Sequence, residues 1–450
     1  MPRFEFKEGS SNKFWEITRN EAVLTTRWGR IGTEGQEKTQ TFKREYEART
    51  AYDKQVLEKT TKGYTRVKPT ETGPEPKSNK ELEAAILRDP EAAEGYLVYG
   101  DWLQSQGDAR GELIALQHAQ SQAKGAEATA LKKKVAALLK KHQGLLLGTQ
   151  LASMHGGKTL SVDWHLGFIR GARVAVAGYD EDPEFQVDET LKLLLAHPSA
   201  RFLQELTIGL ADNEGENEYG AIIRIIAKSA PGTLRKLFIG DFVFPDDTEI
   251  SWTHVGNVVP LYKAFPGLRS LHLRGGEPTF GKIDLPELRE FIMETGGLDR
   301  GSVKAIAAAN WPKLQKLEVW FGSENYGASG ELKHIQPILD ATGLPELKHL
   351  GLCNAEFTNE LAAALPKSKV LPQLETLDLS RGTLTDEGAA VLLANAAAFK
   401  HLKRLDLSLN LLSTKVAKSV AKLCADVVIG RQRQDHSDEE DEHRYVAVGE

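Results

Sequence analysis

Cysteine is scarce in this chain, and its scarcity excludes two kinds of site. Only Cys353 and Cys424 occur among 450 residues, so we expect no disulfide framework and no cysteine-rich zinc site. The twelve histidines show no H-E-x-x-H spacing and G-x-S-x-G is absent, so the sequence predicts neither a zinc hydrolase nor a serine hydrolase. We expect no metal and no cofactor.

Long hydrophobic runs are also missing. No stretch approaches the ~18 consecutive apolar residues of a membrane-spanning helix. The opening segment MPRFEFKEGS has neither the basic start nor the apolar core of a secretory signal. With 41% hydrophobic and 27% charged residues, the composition is typical of a soluble globular protein. The sequence therefore predicts a cytoplasmic protein of two or three folding units that does not cross a membrane.

Charge is unevenly distributed along the chain. Residues 1–80 hold 17 Lys and Arg against 12 Asp and Glu, whereas residues 81–450 hold 40 against 51. Because non-specific affinity for nucleic acid depends on cationic surface, we expect any contact with phosphates in the N-terminal part.

Composition marks a domain boundary near residue 70. Segment 68–79 (KPTETGPEPKSN) is rich in Pro, Thr and Gly and lacks apolar periodicity, which is typical of a linker. Residues 1–67 are expected to form a small strand-rich module. Its predicted elements are three strands over 13–18, 22–31 and 36–42, then a helix over 44–59.

This first module resembles the WGR domain. The similarity covers about residues 3–67 and rests on KFWEI, VLTTRWGRIGTEGQ, KTQTF and KTTKGY, with the Trp-Gly-Arg motif at Trp28, Gly29 and Arg30. The domain engages DNA ends in poly(ADP-ribose) polymerases and also occurs in bacterial proteins of the molybdate-metabolism-regulator type. The resemblance implies that the tryptophan stacks on a terminal sugar, the glycine allows close approach and the arginine makes a polar contact.

Cations surround the motif, and an aromatic face within a basic surface suits base stacking together with phosphate contacts. The predicted DNA-binding residues are Trp28, Gly29, Arg30, Arg27, Lys38 and Lys62.

Residues 80–145 are predicted to form a helical companion domain of three or four helices. Asp89-Pro90 is predicted to begin one helix, and Gly107-Asp108 to end one and begin the next. Residues 82–117 resemble the short domain that precedes leucine-rich repeats in some bacterial proteins, a match carried by the D-W-L and G-D-x-R-G-E pieces.

A repeated L-x-x-L-x-L pattern occupies the second half of the chain. The copies are spaced 20 to 34 residues apart with helical stretches between them, which predicts a curved leucine-rich-repeat solenoid of strand–helix units over 146–430. Segments 165–176 and 426–430 are predicted as its terminal strands, and 431–450 as an acidic C-terminal tail. The closing HRYVAVGE resembles the end of a family of bacterial leucine-rich-repeat proteins. The eight copies begin at Leu203, Leu234, Leu268, Leu288, Leu314, Leu347, Leu374 and Leu402.

The solenoid offers candidate partner-binding residues. Because the motif leucines point inward, the residues between and beside them are expected on the open face of the sheet. Three long segments after strands, 211–220, 241–254 and 320–331, should all leave the sheet on one rim. Aromatic and charged residues in such places are typical of protein interfaces. The predicted protein-binding residues are Phe238, His272, Arg274, Ile292, Trp320, Trp252, Phe321 and Tyr326.

One motif superficially indicates an enzyme. Residues 152–159, ASMHGGKT, fit a relaxed phosphate-loop pattern with Lys158 and Thr159 in the functional places. A phosphate loop opens a helix, however, and the residues that follow are predicted as strands. We therefore do not predict nucleotide binding.

The predicted fold class is multidomain α/β, with a small α+β WGR module, a helical companion domain and a leucine-rich-repeat solenoid. The predicted function is non-enzymatic recognition, in which the solenoid binds a protein and the WGR domain binds DNA at ends or breaks. In the alternative hypothesis the WGR domain docks a protein, and the chain is a scaffold or regulator without DNA binding. No small-molecule substrate is predicted.

Overall fold

A computed structural model describes residues 3–9, 11–20, 22–67, 77–176, 186–212, 217–434 and 444–450. Within this described part, no helix is long and apolar enough to cross a lipid bilayer. The predicted linker at 68–79 lies outside the described residues except for its last three. The chain divides into two compact units, Met1–Pro74 with Gly148–Ser153, and Glu75–Leu147 with Met154–Glu450.

The first unit contains a five-stranded antiparallel sheet in the order β4-β3-β2-β1-β5. The three predicted strands and the predicted helix are confirmed. Its elements are β1 (Arg3–Glu8), β2 (Ser11–Asn20), β3 (Val23–Arg30), β4 (Gln36–Thr41), α1 (Glu45–Thr61) and β5 (Thr65–Val67).

Strand alternation decides which side chains face helix α1. Trp15 and Ile17 lie two residues apart on β2, and both are buried with Phe4 and Leu24 in a core that α1 covers. Trp28 lies directly opposite Trp15 in the β2–β3 register, so it belongs to the same face.

The second unit begins with a helical segment. Its helices are α2 (Lys80–Arg88), α3 (Ala93–Ser105), α4 (Ala109–Gln122), α5 (Gly125–Lys141) and the start of α6 (Gln143–Met154), in which Gly148 has a φ of 68°. The Asp108 side chain accepts the Arg110 amide and caps α4 as predicted. The prediction for Asp89 and Pro90 was wrong, because α3 begins only at Ala93.

An eleven-stranded sheet follows, in the order β19-β18-β17-β16-β15-β14-β12-β10-β8-β7-β6. Strands β6 and β7 pair antiparallel, and the neighbours from β7 to β19 pair parallel. The strands are β6 (Leu160–His165), β7 (Phe168–Val174), β8 (Glu205–Ile208), β10 (Lys236–Ile239), β12 (Ser270–Arg274), β14 (Glu290–Glu294), β15 (Lys316–Gly322), β16 (His349–Ala355), β17 (Thr376–Asp378), β18 (Arg404–Asp406) and β19 (Val427–Val428).

Helices and a smaller sheet lie between these strands. The smaller sheet is parallel and contains β9 (Asn217–Glu218), β11 (Thr253–Asn257) and β13 (Gly276–Thr279). The helices are α7 (Val187–Ala196), α8 (Gly220–Ser229), α9 (Val259–Ala264), α10 (Arg300–Ala307), α11 (Gln336–Leu339), α12 (Thr358–Ala364), α13 (Asp386–Ala394), α14 (Ala396–Phe399) and α15 (Thr414–Val420). The described chain is therefore a mixed α/β protein of more than one unit.

Each of the eight repeated motifs contributes one strand to the large sheet. The parallel register places equivalent leucines side by side: Leu237 of β10 lies between Leu206 of β8 and Leu271 of β12, and all three are buried. Strands are confirmed at 165–176 and 426–430 as β7 and β19. Strand β19 ends the sheet as predicted, but the strand at the other edge is β6, which pairs antiparallel with β7.

A buried polar cluster joins the helical segment to the sheet. Arg110 is 2% exposed, and its Nη2 donates to Ser199 Oγ at 2.9 Å while its guanidinium lies 4.9 Å from the Phe168 ring centroid. Burial lowers the pKa of Arg110 to about 10. Burial, with the charges of Arg110 and Arg201, lowers the pKa of His197 to about 4. The G-D-x-R-G-E piece therefore has a structural role here.

The prediction that residues 431–450 form an acidic tail was wrong at both ends of this range, where the chain packs on the sheet. Arg433 donates its amide to Asn410 O at 2.7 Å, and Val446 and Val448 are buried. Val448 N donates to Asn354 Oδ1 at 3.0 Å, and Asn354 Nδ2 donates to Val448 O at 2.6 Å. Docking of this segment on the sheet buries its apolar side chains and gives its backbone groups hydrogen-bond partners. The acidic stretch 435–443 lies outside the described residues.

Three successive motifs share one unusual backbone conformation. Asn354, Arg381 and Leu409 each stand seven residues after the first leucine of their motif and have φ values of 53°, 67° and 57°. Each amide donates to a carbonyl in the next turn, at 2.9 Å in all three cases. We call these three positions the left-handed turns.

Candidate functional site

The first unit has a cavity of about 490 Å³ beside the Trp-Gly-Arg motif. The start of β2, the end of β3, the last turns of α1 and the residue before β5 contribute to its lining. The lining residues are Ser11, Asn12, Lys13, Phe14, Trp28, Gly29, Arg30, Lys59 and Tyr64.

Three cations border this cavity. Lys13 and Arg30 are exposed and lie opposite each other in the β2–β3 register. Lys59 Nζ lies 5.1 Å from the Tyr64 ring centroid and 5.4 Å from that of Trp15. Burial, and secondarily the charge of Lys62, lowers the pKa of Lys59. The cavity thus places cations of two kinds, exposed and partly buried, around aromatic rings.

The Trp28 ring contacts the core of the domain on one side and the cavity on the other. It is partly buried against the core that contains Trp15, and it also lines the cavity. An indole held on one side by its own domain is rigid, which suits it to present its remaining surface to a ligand.

Gly29 permits a close approach within the domain itself. A Cβ at this position would lie 2.8 Å from Gly35 Cα and 3.1 Å from Phe14 Cε1. Phe14 lies opposite Gly29 on β2 and is 1% exposed. The glycine therefore lets the loop after β3 pack over a buried ring.

Three predicted DNA-binding residues do not line the cavity. Arg27 precedes Trp28 on β3 and therefore points to the other face, where its Nε lies 3.1 Å from Glu16 Oε2. Lys38 is exposed on the edge strand β4, opposite Thr26. Lys62 forms an ion pair with Glu58. Arg27 is thus separated from Trp28 by strand alternation and Lys62 by its position at the end of α1, whereas Lys38 lies on the same face as Trp28 but two strand positions from the cavity. Contact of these three residues with DNA stays a prediction.

The sequence reasoning also missed functional candidates. Lys13, Lys59 and Tyr64 line the cavity but come from different elements, so nothing in their spacing connects them to Trp28. The antiparallel pairing of β2 with β3 could have identified Lys13 from the sequence, because it places Lys13 opposite Arg30.

The second unit has a cavity of about 1000 Å³ at the carboxyl edge of the large sheet. We call it the arginine cavity. Its lining residues are Phe242, Val243, Phe244, Ile250, Arg274, Trp320, Arg381, Leu409, Arg431, Gln432, Arg433, Gln434, Ala447 and Val448.

Two predicted partner-binding residues are stacked beside this cavity. The rings of Phe238 and His272 lie on neighbouring strands with centroids 3.8 Å apart and an interplanar angle of 2°. Arg274 lies 5.6 Å from the Phe238 ring centroid and forms an ion pair with Glu294. Burial alone would raise the pKa of Glu294, but hydrogen bonds and charges from His272 and Arg274 hold it at about 2.

Trp320 lines the arginine cavity as part of β15. Its Nε1 donates to Glu318 Oε1 at 3.1 Å, and the Arg381 guanidinium lies 4.8 Å from its ring centroid. The structure therefore brings Arg274 and Trp320 into one site, together with residues that the sequence did not single out.

Two predicted partner-binding residues are buried. Ile292 is 7% exposed, between His272 and Glu318 in the register of three strands, because longer neighbouring side chains cover it. Phe321 is 2% exposed and packs edge-on against Phe357 at 4.9 Å. The predictions that these residues present a binding surface were wrong.

The long segments after β8, β10 and β15 leave the sheet at its carboxyl edge, as predicted, because all three strands are parallel. Residues 213–216 of the first segment lie outside the described residues. Trp252 is 54% exposed and Tyr326 is 38% exposed. The Tyr326 hydroxyl donates to Glu450 Oε1 at 2.7 Å, so segment 444–450 covers part of this residue.

Comparison with known proteins identifies a domain family for part of the chain and structural relatives. No curated protein matches the chain in sequence. A solved structure of a protein from Bacteroides fragilis is similar over 100% of this chain and 99% of its own, with a TM-score of 0.50 and 25% sequence identity. Residues 2–71 match the WGR domain family, and the match includes the strands and helix that form the 490 Å³ cavity. Residues 2–71 are therefore a WGR domain.

Proposed function

We propose that the chain is a non-enzymatic recognition protein whose WGR domain binds DNA at ends or breaks. The 490 Å³ cavity carries this proposal, because it combines the half-buried Trp28 ring with Lys13, Arg30 and Lys59. A base or terminal sugar can stack on an indole face while the neighbouring cations contact phosphates. The excess of cations over residues 1–80 supports the same assignment.

A binding assay with two kinds of duplex tests this proposal. The full chain is titrated at low salt with a labelled linear duplex and with a covalently closed dumbbell of the same sequence. We expect tighter binding to the linear duplex. The double variant Lys13→Gln/Arg30→Gln should weaken that binding by about tenfold, since two phosphate contacts are lost.

Lys38→Gln is the matched control, because it removes one positive charge from the same domain outside the cavity. We expect it to change the affinity far less. Equal binding to both duplexes, or an equal loss in the control, would show that the cavity does not recognise DNA ends.

We propose further that residues 146–430 form a leucine-rich-repeat solenoid that binds a protein partner. Eight motifs that each contribute one parallel strand, with helices between them, support the assignment. The exposed Trp252 on the carboxyl rim supports protein binding, because aromatic residues contribute strongly to interface energies.

Partner capture by the full chain tests the second role. We expect Trp252→Ala to lose a captured protein without a change in melting temperature. Leu87→Ala, which truncates a similarly exposed apolar residue on α2, serves as control and should retain the captured protein. Retention by both variants would exclude this rim as the partner site.

The alternative function, in which the WGR domain docks a protein, makes a different prediction for the first experiment. If the folded chain binds neither duplex at low salt, protein docking replaces DNA binding. The absence of an enzymatic role is also a proposal. It is supported by Cys353, whose thiol pKa burial raises well above its ordinary value, and by Thr159, which leads into strand β6.

A further inference from the structure

The arginine cavity concentrates positive charge in an acidic part of the chain. Residues 81–450 hold 40 Lys and Arg against 51 Asp and Glu. The cavity is nevertheless lined by four arginines, and its described lining residues include no Asp or Glu. A concave site of one sign attracts ligands of the opposite sign.

Two of the four arginines hold the walls of the cavity. Arg274 is paired with Glu294 and also donates to the Phe242 carbonyl. Arg433 donates from Nε to Leu409 O and from Nη1 to Tyr445 O, both at 2.7 Å. These guanidinium groups fix loops and the docked segment 444–450.

The other two arginines keep donors available for a ligand. Arg381 donates from Nη1 to Ser380 Oγ at 2.8 Å and otherwise covers the Trp320 ring. Arg431 is exposed, and within the described part of the chain its side chain forms no ion pair. A guanidinium has five N–H donors arranged to match a carboxylate.

Apolar surface completes the site. Phe244, Trp320 and Val448 line the same cavity, and Val448 belongs to a buried cluster with Phe242 and Ile250. A ligand that fits must therefore combine negative charge with at least one apolar group. A volume of about 1000 Å³ accommodates several amino-acid residues.

The backbone conformation at Arg381 does not depend on its side chain, because it belongs to the left-handed turns and is held by backbone hydrogen bonds. Its φ of 67° is a conformation that glycine adopts without strain and that other residues adopt at a cost. The side chain makes one hydrogen bond, to its immediate neighbour, and its guanidinium otherwise lies over the Trp320 ring.

We propose that the arginine cavity binds an acidic peptide segment of a partner protein. Its Asp or Glu carboxylates contact Arg381 and Arg431, and an apolar side chain packs against Trp320 and Phe244. This inference rests on the proposed protein-binding function of the second unit and specifies the chemistry of the partner.

Calorimetric titration of the full chain with three synthetic peptides tests the proposal. One is a ten-residue peptide of Asp and Glu around a single Trp, one has the corresponding Asn and Gln residues, and one is Lys-rich. We expect the acidic peptide to bind at least tenfold more tightly than the amide peptide, and the Lys-rich peptide not to bind.

Two substitutions locate the binding. Arg381→Gly and Arg431→Gln should each weaken the acidic peptide about tenfold, the effect of losing a charge-assisted hydrogen bond. Arg381→Gly should leave the melting temperature unchanged or raised, because glycine suits the backbone there. Arg300→Gln, an exposed charge on α10 outside the cavity, is the control and should bind normally.

The sequence adjoining Gln434 is itself rich in Asp and Glu and is a potential competitor. The titration is therefore repeated with a chain in which the acidic residues of 435–443 are replaced by their amides. Binding of the acidic peptide by either chain, lost in the arginine variants, supports the proposal. Its absence from both chains overturns it.

Two other outcomes distinguish failure of the acidic-peptide proposal from failure of the proposed protein-binding function. Equal binding of the acidic and amide peptides would reject the charge preference while leaving a protein-binding role intact. Tighter binding of a duplex DNA than of the peptide, sensitive to Arg381→Gly, would make the cavity a nucleic-acid site and overturn the peptide assignment. Loss of partner capture in Trp252→Ala remains a separate test of the proposed function.

Discussion

At the scale of single residues, packing inside the domain explains why the Trp-Gly-Arg motif has glycine at position 29. Its missing Cβ leaves room for Gly35 and for the buried Phe14 ring. We expect Gly29→Ala to destabilise the first unit by about 1–3 kcal/mol, because backbone and ring must both shift. Faster hydrogen exchange in β2 and β3 would report this loss.

The control for that substitution is Gly144→Ala. A Cβ at Gly144 meets no atom within 4 Å, and the residue lies in a helix, where alanine is favoured. We expect unchanged or slightly slower exchange around it. Unchanged exchange in β2 and β3 of Gly29→Ala would contradict the packing role.

His197 makes stability depend on pH. Burial lowers its pKa to about 4 from an ordinary value of 6.5. Between these values the unfolded chain binds a proton that the folded chain excludes, so stability falls as pH falls through this window, by about 3 kcal/mol in total. We expect His197→Gln to show a weaker decline of melting temperature between pH 6.5 and 4.5.

Between pH 6.5 and 4.5, the loss of stability caused by His197 is separate from that caused by protonation of Glu294. Glu294 has a pKa of about 2, so its stabilisation is lost only as pH falls below its ordinary value of 4.5. The Ser199 amide donates to His197 Nδ1 at 3.2 Å, and a glutamine oxygen can accept the same bond. Parallel curves for the variant and the parent would show that His197 does not cause the decline.

The residue scale is also where prediction from sequence was least complete. The motif identified Trp28 and Arg30, which line the cavity, but adjacency in sequence did not show that Arg27 lies outside it, on the other face of β3 from Trp28. Ile292 alternates outward as predicted and is still buried, because exposure depends on the length of side chains on two other strands.

At the scale of elements, local pattern was sufficient for most strands and helices. Each L-x-x-L-x-L motif carries its own apolar periodicity, so the eight motif strands could be located without knowledge of their partners. The strands of the smaller sheet, β9, β11 and β13, carry no such motif and were not predicted. Segment 444–450 has no such pattern. Its docking depends on Asn354, about 90 residues earlier, and no local signal predicts a contact of that range.

Asn354→Gly tests how this segment is held. The glycine suits the left-handed turn but removes both hydrogen bonds to Val448. We therefore expect the turn to stay intact and residues 444–450 to exchange their amide hydrogens much faster, as measured by mass spectrometry.

Arg381→Gly is the matched control, because it makes the same change at the equivalent turn. The bond that Arg381 gives to the segment comes from its backbone carbonyl, which accepts the Ala447 amide, and survives the substitution. Equal acceleration in both variants would mean that the Asn354 side chain does not hold the segment.

At the scale of the whole molecule, the two units have opposite charge imbalances. If the three cations of the WGR cavity contact phosphates, the logarithm of the DNA affinity should fall with the logarithm of salt concentration with a slope of about −3. Lys59→Gln should reduce the slope by about one, as measured by anisotropy between 50 and 200 mM salt. An unchanged slope would exclude Lys59 from the phosphate contacts.

The left-handed turns at Asn354, Arg381 and Leu409 have an evolutionary consequence. Backbone hydrogen bonds maintain the same geometry at all three, although their side chains are an amide, a cation and an alkyl group. At Arg381 and Leu409, which line the arginine cavity, selection can therefore exchange the side chain without loss of the turn, whereas the Asn354 side chain is committed to Val448. Point mutation at either of these two positions would alter the lining of the cavity, while the backbone of the turn is inherited unchanged.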